Sequence, residues 1–260
     1  MHRQAACLAT IDGQPVNVGS LPDAIAKIVR KVQKAEPFTV FTLNLDHLVK
    51  RRTDGRFREA YARADLVTAD GAPVVALSRK QGASLSRTTG ADLVLPLCKA
   101  AAAERIPVFL FGSDQHVLEC AADVLRERAP GLDVRGCLAP RHGFDPASME
   151  ADAFGTQIAN SGARLCFVCL GAPKQELFSD RMAQRGFPVG WLCVGAALDF
   201  IAGEQKRAPA VFQKTGLEWT WRLLTNPRRM AARYARCAVL FAGLLLGGSD
   251  RPVVDQAGAA

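Results

Sequence analysis

The 260-residue chain lacks the short motifs that most nucleotide and metal enzymes carry. No GxGxxG follows an apolar run, which argues against a dinucleotide oxidoreductase. No GxxxxGKS or GxxxxGKT is present, so there is no P-loop. No GxSxG elbow precedes a suitable Asp and His, which removes an α/β-hydrolase. The four histidines, His2, His47, His116 and His142, show no metal-ligand spacing. No Asp-x-Asp pair stands at a strand end, where a metal that neutralises a nucleotide diphosphate is usually held.

Long apolar runs are missing too. The longest uncharged stretch, Cys237 to Gly248, falls short of the roughly 20 residues that span a bilayer. The amino terminus has no charged region followed by an apolar core, so a secretory leader is not expected. Eight cysteines are scattered through apolar runs, where a free thiol behaves as a small hydrophobe. Cys166 and Cys169 form a CxxC inside Leu165-Cys166-Phe167-Val168-Cys169-Leu170. That run reads as a strand, so the spacing turns the two thiols to opposite faces. No second pair accompanies them, and the pattern suits a reducing compartment.

What is present is alternation. An Asp12-Gly13 turn joins two short apolar runs, the signature of a β-hairpin. Leu21 to Lys34 has a helical period. Apolar runs at 38–45, 65–69, 107–112, 132–138, 163–170 and 189–194 alternate with helical segments at 72–81, 90–104, 115–128, 147–160 and 176–184; the stretch 46–64 reads as one more helical segment. Strands that are apolar throughout and separated by helices imply a parallel sheet covered on both faces. The expected fold is α/β: a Rossmann-like, doubly wound, mostly parallel sheet with an N-terminal β-hairpin over residues 1–195. Residues 196–260 are expected to form a basic and apolar C-terminal helical appendage.

The net charge of +8 is concentrated there. Between Glu204 and Arg236 stand eight basic and two acidic residues, so the rest of the chain is close to neutral. In the helix expected from Arg228 to Leu246, Arg229, Arg233 and Arg236 share one face. A solvated helix face accounts for that pattern. So does an interfacial segment whose arginines reach anionic headgroups while Trp219, Trp221, Leu240, Phe241 and Leu244–Leu246 enter the lipid boundary. Nucleic acid is the weaker match, because few polar base-reading groups lie beside these arginines.

In a parallel sheet the polar residues that end the strands share one edge, where open α/β sheets bind ligands. Thr42 and Asn44, Asp70, Gly112-Ser113-Asp114, Gln175 and Glu176, and Gly195 with Asp199 all fall there. Asp70, which closes Leu66-Val67-Thr68-Ala69, has two readings from its position. One is a helix N-cap, a site Asp favours. The other is a carboxylate facing the crevice.

The ordered set Thr42-x-Asn44, Thr68-Ala69-Asp70-Gly71, Arg87-x-x-Gly90-x-Asp92-Leu93, Phe111-Gly112-Ser113 and Gly171-Ala172-Pro173-Lys174-Gln175-Glu176 resembles the WecG/TagA/CpsF glycosyltransferase family. So does the later set Gly195-x-x-x-Asp199-Phe200-x-x-Gly203, Arg207-Ala208-Pro209, Gly216-Leu217-Glu218-Trp219-x-x-Arg222 and Pro227-x-Arg229. The match runs from about residue 8 to 236. The resemblance implies an inverting transferase, working without metal or other cofactor, that moves a sugar from a UDP-sugar to a polyprenyl-diphosphate-linked glycan. N-acetylmannosamine, its uronic acid and glucose are the donor sugars it leaves open. It implies Asp70 as general base and substrate contacts at Thr42, Asn44, Arg87, Gly112, Gln175, Glu176 and Asp199. Arg207, Arg222 and Arg229 are implied in binding the diphosphate and the lipid-linked substrate. It further implies cell-envelope polysaccharide synthesis on the inner face of the cytoplasmic membrane, with homo-oligomerisation open. The competing readings are an NAD(P)-dependent oxidoreductase and a non-catalytic membrane adaptor.

Overall fold

The computed structural model describes residues 6–209, 211–212, 218–225 and 227–247. Lys214, Gly216, Leu217 and Gly248 lie outside the described residues, as do the side chains of Arg222 and Arg229. The chain opens with the hairpin β1 (Ala9–Ile11) and β2 (Gln14–Val16), closed by Asp12 and Gly13 at positive φ. Then follow α1 (Leu21–Gln33), β3 (Phe38–Leu43), α2 (Leu45–Thr53), α3 (Gly55–Arg63), β4 (Leu66–Ala69), α4 (Ala72–Lys80), α5 (Gly90–Ala103), β5 (Val108–Gly112) and α6 (Gln115–Arg128). The body ends with β6 (Val134–Leu138), α7 (Met149–Asn160), β7 (Leu165–Cys169), α8 (Lys174–Gln184), β8 (Gly190–Cys193) and α9 (Ala197–Ala202). Two further helices are α10 (Glu218–Thr225) and α11 (Pro227–Leu245).

Six strands form one parallel sheet in the order β4-β3-β8-β7-β5-β6. Side chains alternate across it as the two-residue period requires. Leu165, Phe167 and Cys169 of β7 face the layer of α1, α5, α6 and α9, while Cys166 and Val168 face that of α7 and α8. The CxxC thiols therefore lie on opposite sides of the sheet, as the strand reading expects. Six parallel strands with helices on both faces and an antiparallel hairpin in front are the Rossmann-like α/β architecture expected from the sequence.

Three local outcomes bear on the site. First, the stretch expected to be one helix from 46 to 64 is two. Asp54 ends α2 in an extended conformation and then caps α3 by accepting from the Phe57 N–H at 3.1 Å. The break lets Phe57 and Tyr61 turn inward against Phe41. Second, the exposed edge of β4 is covered by chain on both sides. Asn17 and Val18 pair with Val67, and the Thr88 N–H donates to the Ala69 carbonyl at 2.8 Å. That closes an edge that would otherwise offer unpaired backbone groups, and it carries Arg87 and Thr89 to the strand's carboxyl end.

Third, α11 packs on α2 and α4. Leu240 is buried among Leu48, Val74 and Leu77, with Phe241 and Leu244 against the same cluster. These three side chains lie on the protein body, not on an outward apolar face. The outward apolar side chains of this region among the described residues are Val211, Trp219, Leu224, Val239, Leu245 and Leu246, the last 88% exposed. Among the described residues no helix is long and apolar enough to cross a membrane.

Candidate active site

The carboxyl ends of β3, β4, β7 and β8, with the turn after β5, open into one cavity of about 890 Å³. Connections leave β5 and β7 toward opposite sides of the sheet, so a topological switch point lies beside it. Thr42, Asn44, Asp70, Arg87, Gln175, Asp199 and Arg207 all line this cavity. Residues separated by as many as 165 positions thus meet because parallel strands end together.

The floor is held by backbone hydrogen bonds. Asn44 caps α2, its Oδ1 accepting from the His47 N–H at 3.0 Å, which leaves the Asn44 amide to donate to Asp70 Oδ2 at 3.4 Å. The Asp70 N–H donates to the Leu43 carbonyl at 2.8 Å, continuing the ladder one residue past β4. Asp70 is half-buried and is not the cap of α4: the cap position is Gly71, at φ 103°, with no side-chain cap bond. The positive φ of Gly71 turns the chain into the helix, so the Asp70 carboxylate stays at the strand end beside Asn44.

Two glycines set the close approach of neighbouring elements. A Cβ on Gly90 would lie 2.5 Å from the Val194 carbonyl oxygen, so only glycine lets α5 begin against the end of β8. A Cβ on Gly112 would lie 2.5 Å from the Cys169 carbonyl oxygen. Gly112 is therefore where β5 passes β7. It does not reach the cavity wall; its neighbour Ser113 does. Ser113 Oγ donates to Asp199 Oδ1 at 2.8 Å, and Cys169 Sγ donates to the Gly195 carbonyl at 2.6 Å. Burial first, and then Asp199, push the Cys169 thiol well up, so it stays neutral.

Gln175 is 2% exposed yet reaches the cavity. Its Oε1 accepts from the Gly195 N–H at 3.0 Å and its Nε2 donates to Glu176 Oε1 at 2.7 Å. Glu176, expected as a substrate contact, is fully buried and off the cavity wall. It lies behind Gln175, with His47 Nδ1 3.9 Å from Oε1. Burial pushes Glu176 up to about 7. Burial, helped by Lys50, pulls His47 down to about 3 against the attraction of Asp46. His47 Nδ1 and the Tyr61 hydroxyl are 2.6 Å apart, so α2 and α3 share this buried polar cluster.

The rim is built from ion pairs. Arg207 donates to Asp92 at 2.7 Å and lies 3.7 Å from Glu218; Arg87 lies 3.4 Å from Asp92 and 3.7 Å from Glu218. Arg233 of α11 reaches Asp46 at 3.0 Å, which also holds Lys50 at 2.5 Å. Burial raises Asp46, but the Lys50 hydrogen bond and the charge of Arg233 outweigh it and keep Asp46 below the ordinary carboxylate value. Of the two appendage arginines expected here besides Arg207, Arg222 sits on α10 and Arg229 on α11. Sequence reasoning missed Asp46, Lys50, Glu218 and Arg233 as cavity residues. The one available signal was Asp46 and Lys50, an i,i+4 pair directly after Asn44.

Helices α2, α4, α5, α8 and α9 all begin at the cavity. Each points the positive end of its dipole there, which favours an anion between them, although side-chain caps take a first-turn N–H in α2 and α5 and the Val194 carbonyl takes that of Ala197 in α9. The caps of α4, α8 and α9 make no side-chain cap bond. Among the described residues no group of three or more His, Cys, Asp or Glu side chains is arranged to hold a metal ion. Of the carboxylates that line the cavity, Asp46, Asp199 and Glu218 are paired with side chains around it, and Asp70 stands beside the Asn44 amide within a surround of helix starts and arginines. The model of the glycosyl transferase WecG/TagA/CpsF family matches residues 9–251, nearly the whole chain, and the protein belongs to that family.

Proposed function

We propose that the protein is an inverting, metal-independent glycosyltransferase that moves N-acetylmannosamine, its uronic acid or glucose from a UDP-sugar to a polyprenyl-diphosphate-linked glycan. The observation that carries this reading is the pairing of Asp70 with Asn44 on the floor of a cavity ringed by helix starts and arginines. A sugar hydroxyl is a weak nucleophile at neutral pH. Asp70 accepts its proton as the bond to the anomeric carbon forms, while Asn44 orients the carboxylate. A single carboxylate acting as base, with attack opposite the leaving group, inverts the anomeric centre. Departing UDP gathers negative charge, which the helix starts of α4 and α8 and the forks of Arg87 and Arg207 meet. Asp92 and Glu218 hold those forks in place until the diphosphate competes for them. Arg222 and Arg229 belong to the same cationic surround by sequence.

In this reading residues 1–195 carry the base and most of the donor site, and residues 196–260 add Arg207 to it and bring the acceptor and the anionic inner face of the cytoplasmic membrane. The reading is tested by offering radiolabelled UDP-sugars with a short-chain polyprenyl-diphosphate acceptor, with and without EDTA. Transfer with inverted anomeric configuration, unchanged by chelation, is expected. Loss of transfer on chelation, restored by Mg²⁺, would overturn metal independence.

A further inference from the structure

We infer that Glu176 is a positioning residue that acts through Gln175, holding the Gln175 amide in one orientation together with the Gly195 N–H, with a grip that depends on pH. Gln175 is clamped at both ends: Gly195 N–H at its oxygen and Glu176 Oε1 at its nitrogen. One amide hydrogen is thereby committed inward, which leaves the other for the cavity. Exchanging the amide's two ends would set its NH₂ against the Gly195 N–H, so that N–H holds the oxygen inward while Glu176 Oε1 holds the nitrogen.

Glu176 is itself an unusual residue. It is 0% exposed, and Oε2 has no hydrogen-bond partner among the described residues. The groups facing it are Asp46, His47 and Lys50 from α2, Tyr61 from α3 and Cys193 from β8, with Arg233 of α11 beyond Asp46. Lys50 and Arg233 are engaged by Asp46, and His47 is held neutral, so none neutralises an ionised Glu176 directly. The stable state is the neutral acid, whose carbonyl oxygen accepts from Gln175. An unpaired carboxylate in that position is costly. Raising the pH through about 7 ionises it, which strengthens the bond that Oε1 accepts from Gln175 and places a new charge beside His47 Nδ1. The Gln175 amide is the part of this buried cluster that reaches the cavity.

The inference rests on the proposed transferase reading only for its kinetic consequence, so the test has one arm without substrate. In the ¹⁵N-labelled full chain, the side-chain amide resonances lost in Gln175→Ala are followed against pH. They titrate with a midpoint near 7 in the wild type and stay at their low-pH position in Glu176→Gln, which keeps a carbonyl acceptor without a titrating proton. An amide that does not titrate in the wild type, or that still titrates in Glu176→Gln, overturns the inference. In the kinetic arm, Glu176→Gln keeps kcat/KM within about threefold of the wild type at acid pH and loses the pH dependence near 7, whereas Glu176→Leu loses about tenfold or more. Combining Glu176→Leu with Gln175→Ala costs no more than Gln175→Ala alone, as expected of residues acting as one unit. Losses that multiply overturn the positioning role. Failure of the transferase reading shows separately, as a wild type without turnover on any UDP-sugar, and leaves the amide titration decisive.

Discussion

The cavity's floor and its rim are held by different physics. On the floor, Asn44 and Gln175 accept from the backbone N–H groups of His47 and Gly195, and the Asp70 N–H donates to the Leu43 carbonyl, all at or just beyond the strand ends. On the rim, Arg87, Arg207 and Arg233 are fixed by carboxylates on α2, α5 and α10. Backbone-anchored groups keep their geometry whatever occupies the cavity. Paired arginines keep part of their surface in the cavity and can exchange one anion for another, since each carboxylate they release leaves room for a second. The floor therefore suits the reacting centre, and the rim suits an anionic group that must arrive and leave.

That contrast can be broken in three ways. The largest expected effect is on folding, beneath the floor. The folded-state value of Glu176 is raised to about 7, so its contribution to stability is fully present below the unfolded value near 4.5 and is lost as pH rises through 7. The loss amounts to about 3 kcal/mol across that window. His47 has the opposite sign: its value is lowered to about 3, so its contribution is present above 6.5 and lost on acidification. The two partly cancel in the wild type. Urea unfolding of Glu176→Gln against wild type isolates the first, and the difference between them grows by about 3 kcal/mol in favour of the variant from pH 4.5 to 7. A difference that does not change with pH would mean that Glu176 is not a buried neutral acid.

The next effect is on the rim. Arg207→Ala and Arg87→Ala each lower kcat/KM by about tenfold to a hundredfold while leaving urea stability within about 0.5 kcal/mol. A rim variant that unfolds the protein would erase the distinction between the two regions. The smallest effect concerns the turn just past the end of α11. Leu246→Ser, at a side chain 88% exposed, leaves stability unchanged within about 0.5 kcal/mol and weakens binding to anionic vesicles by a fewfold. Unchanged vesicle binding would remove Leu246 from the proposed membrane contact.

How much of this was legible beforehand follows from the same contrast. Strand ends are legible because an apolar run that stops at Asn44, at Asp70-Gly71 or at Gly112-Ser113 has one structural meaning in a parallel sheet. The floor residues were therefore found from the sequence. The opposite faces of Cys166 and Cys169 followed from the two-residue period alone. The rim was not legible as a set of pairs. Asp92, Glu218 and Asp46 meet their arginines across 5 to 187 positions of unpatterned chain, and nothing local marks a carboxylate as a partner. Whether Leu240 faced lipid or protein was equally hidden, since one apolar stripe serves both. Glu176 was placed with the substrate contacts because it adjoins Gln175. On a helix consecutive residues point about 100° apart, so its neighbour reaches the cavity and it does not.

The central claim is that Asp70 takes the acceptor's proton and does not merely shape the turn. It is tested most directly by Asp70→Asn, an isosteric change that preserves the contact with Asn44. The account predicts turnover reduced by about a thousandfold or more, the scale of a lost general base, with UDP binding by calorimetry unchanged. Near-normal turnover in that variant would contradict it.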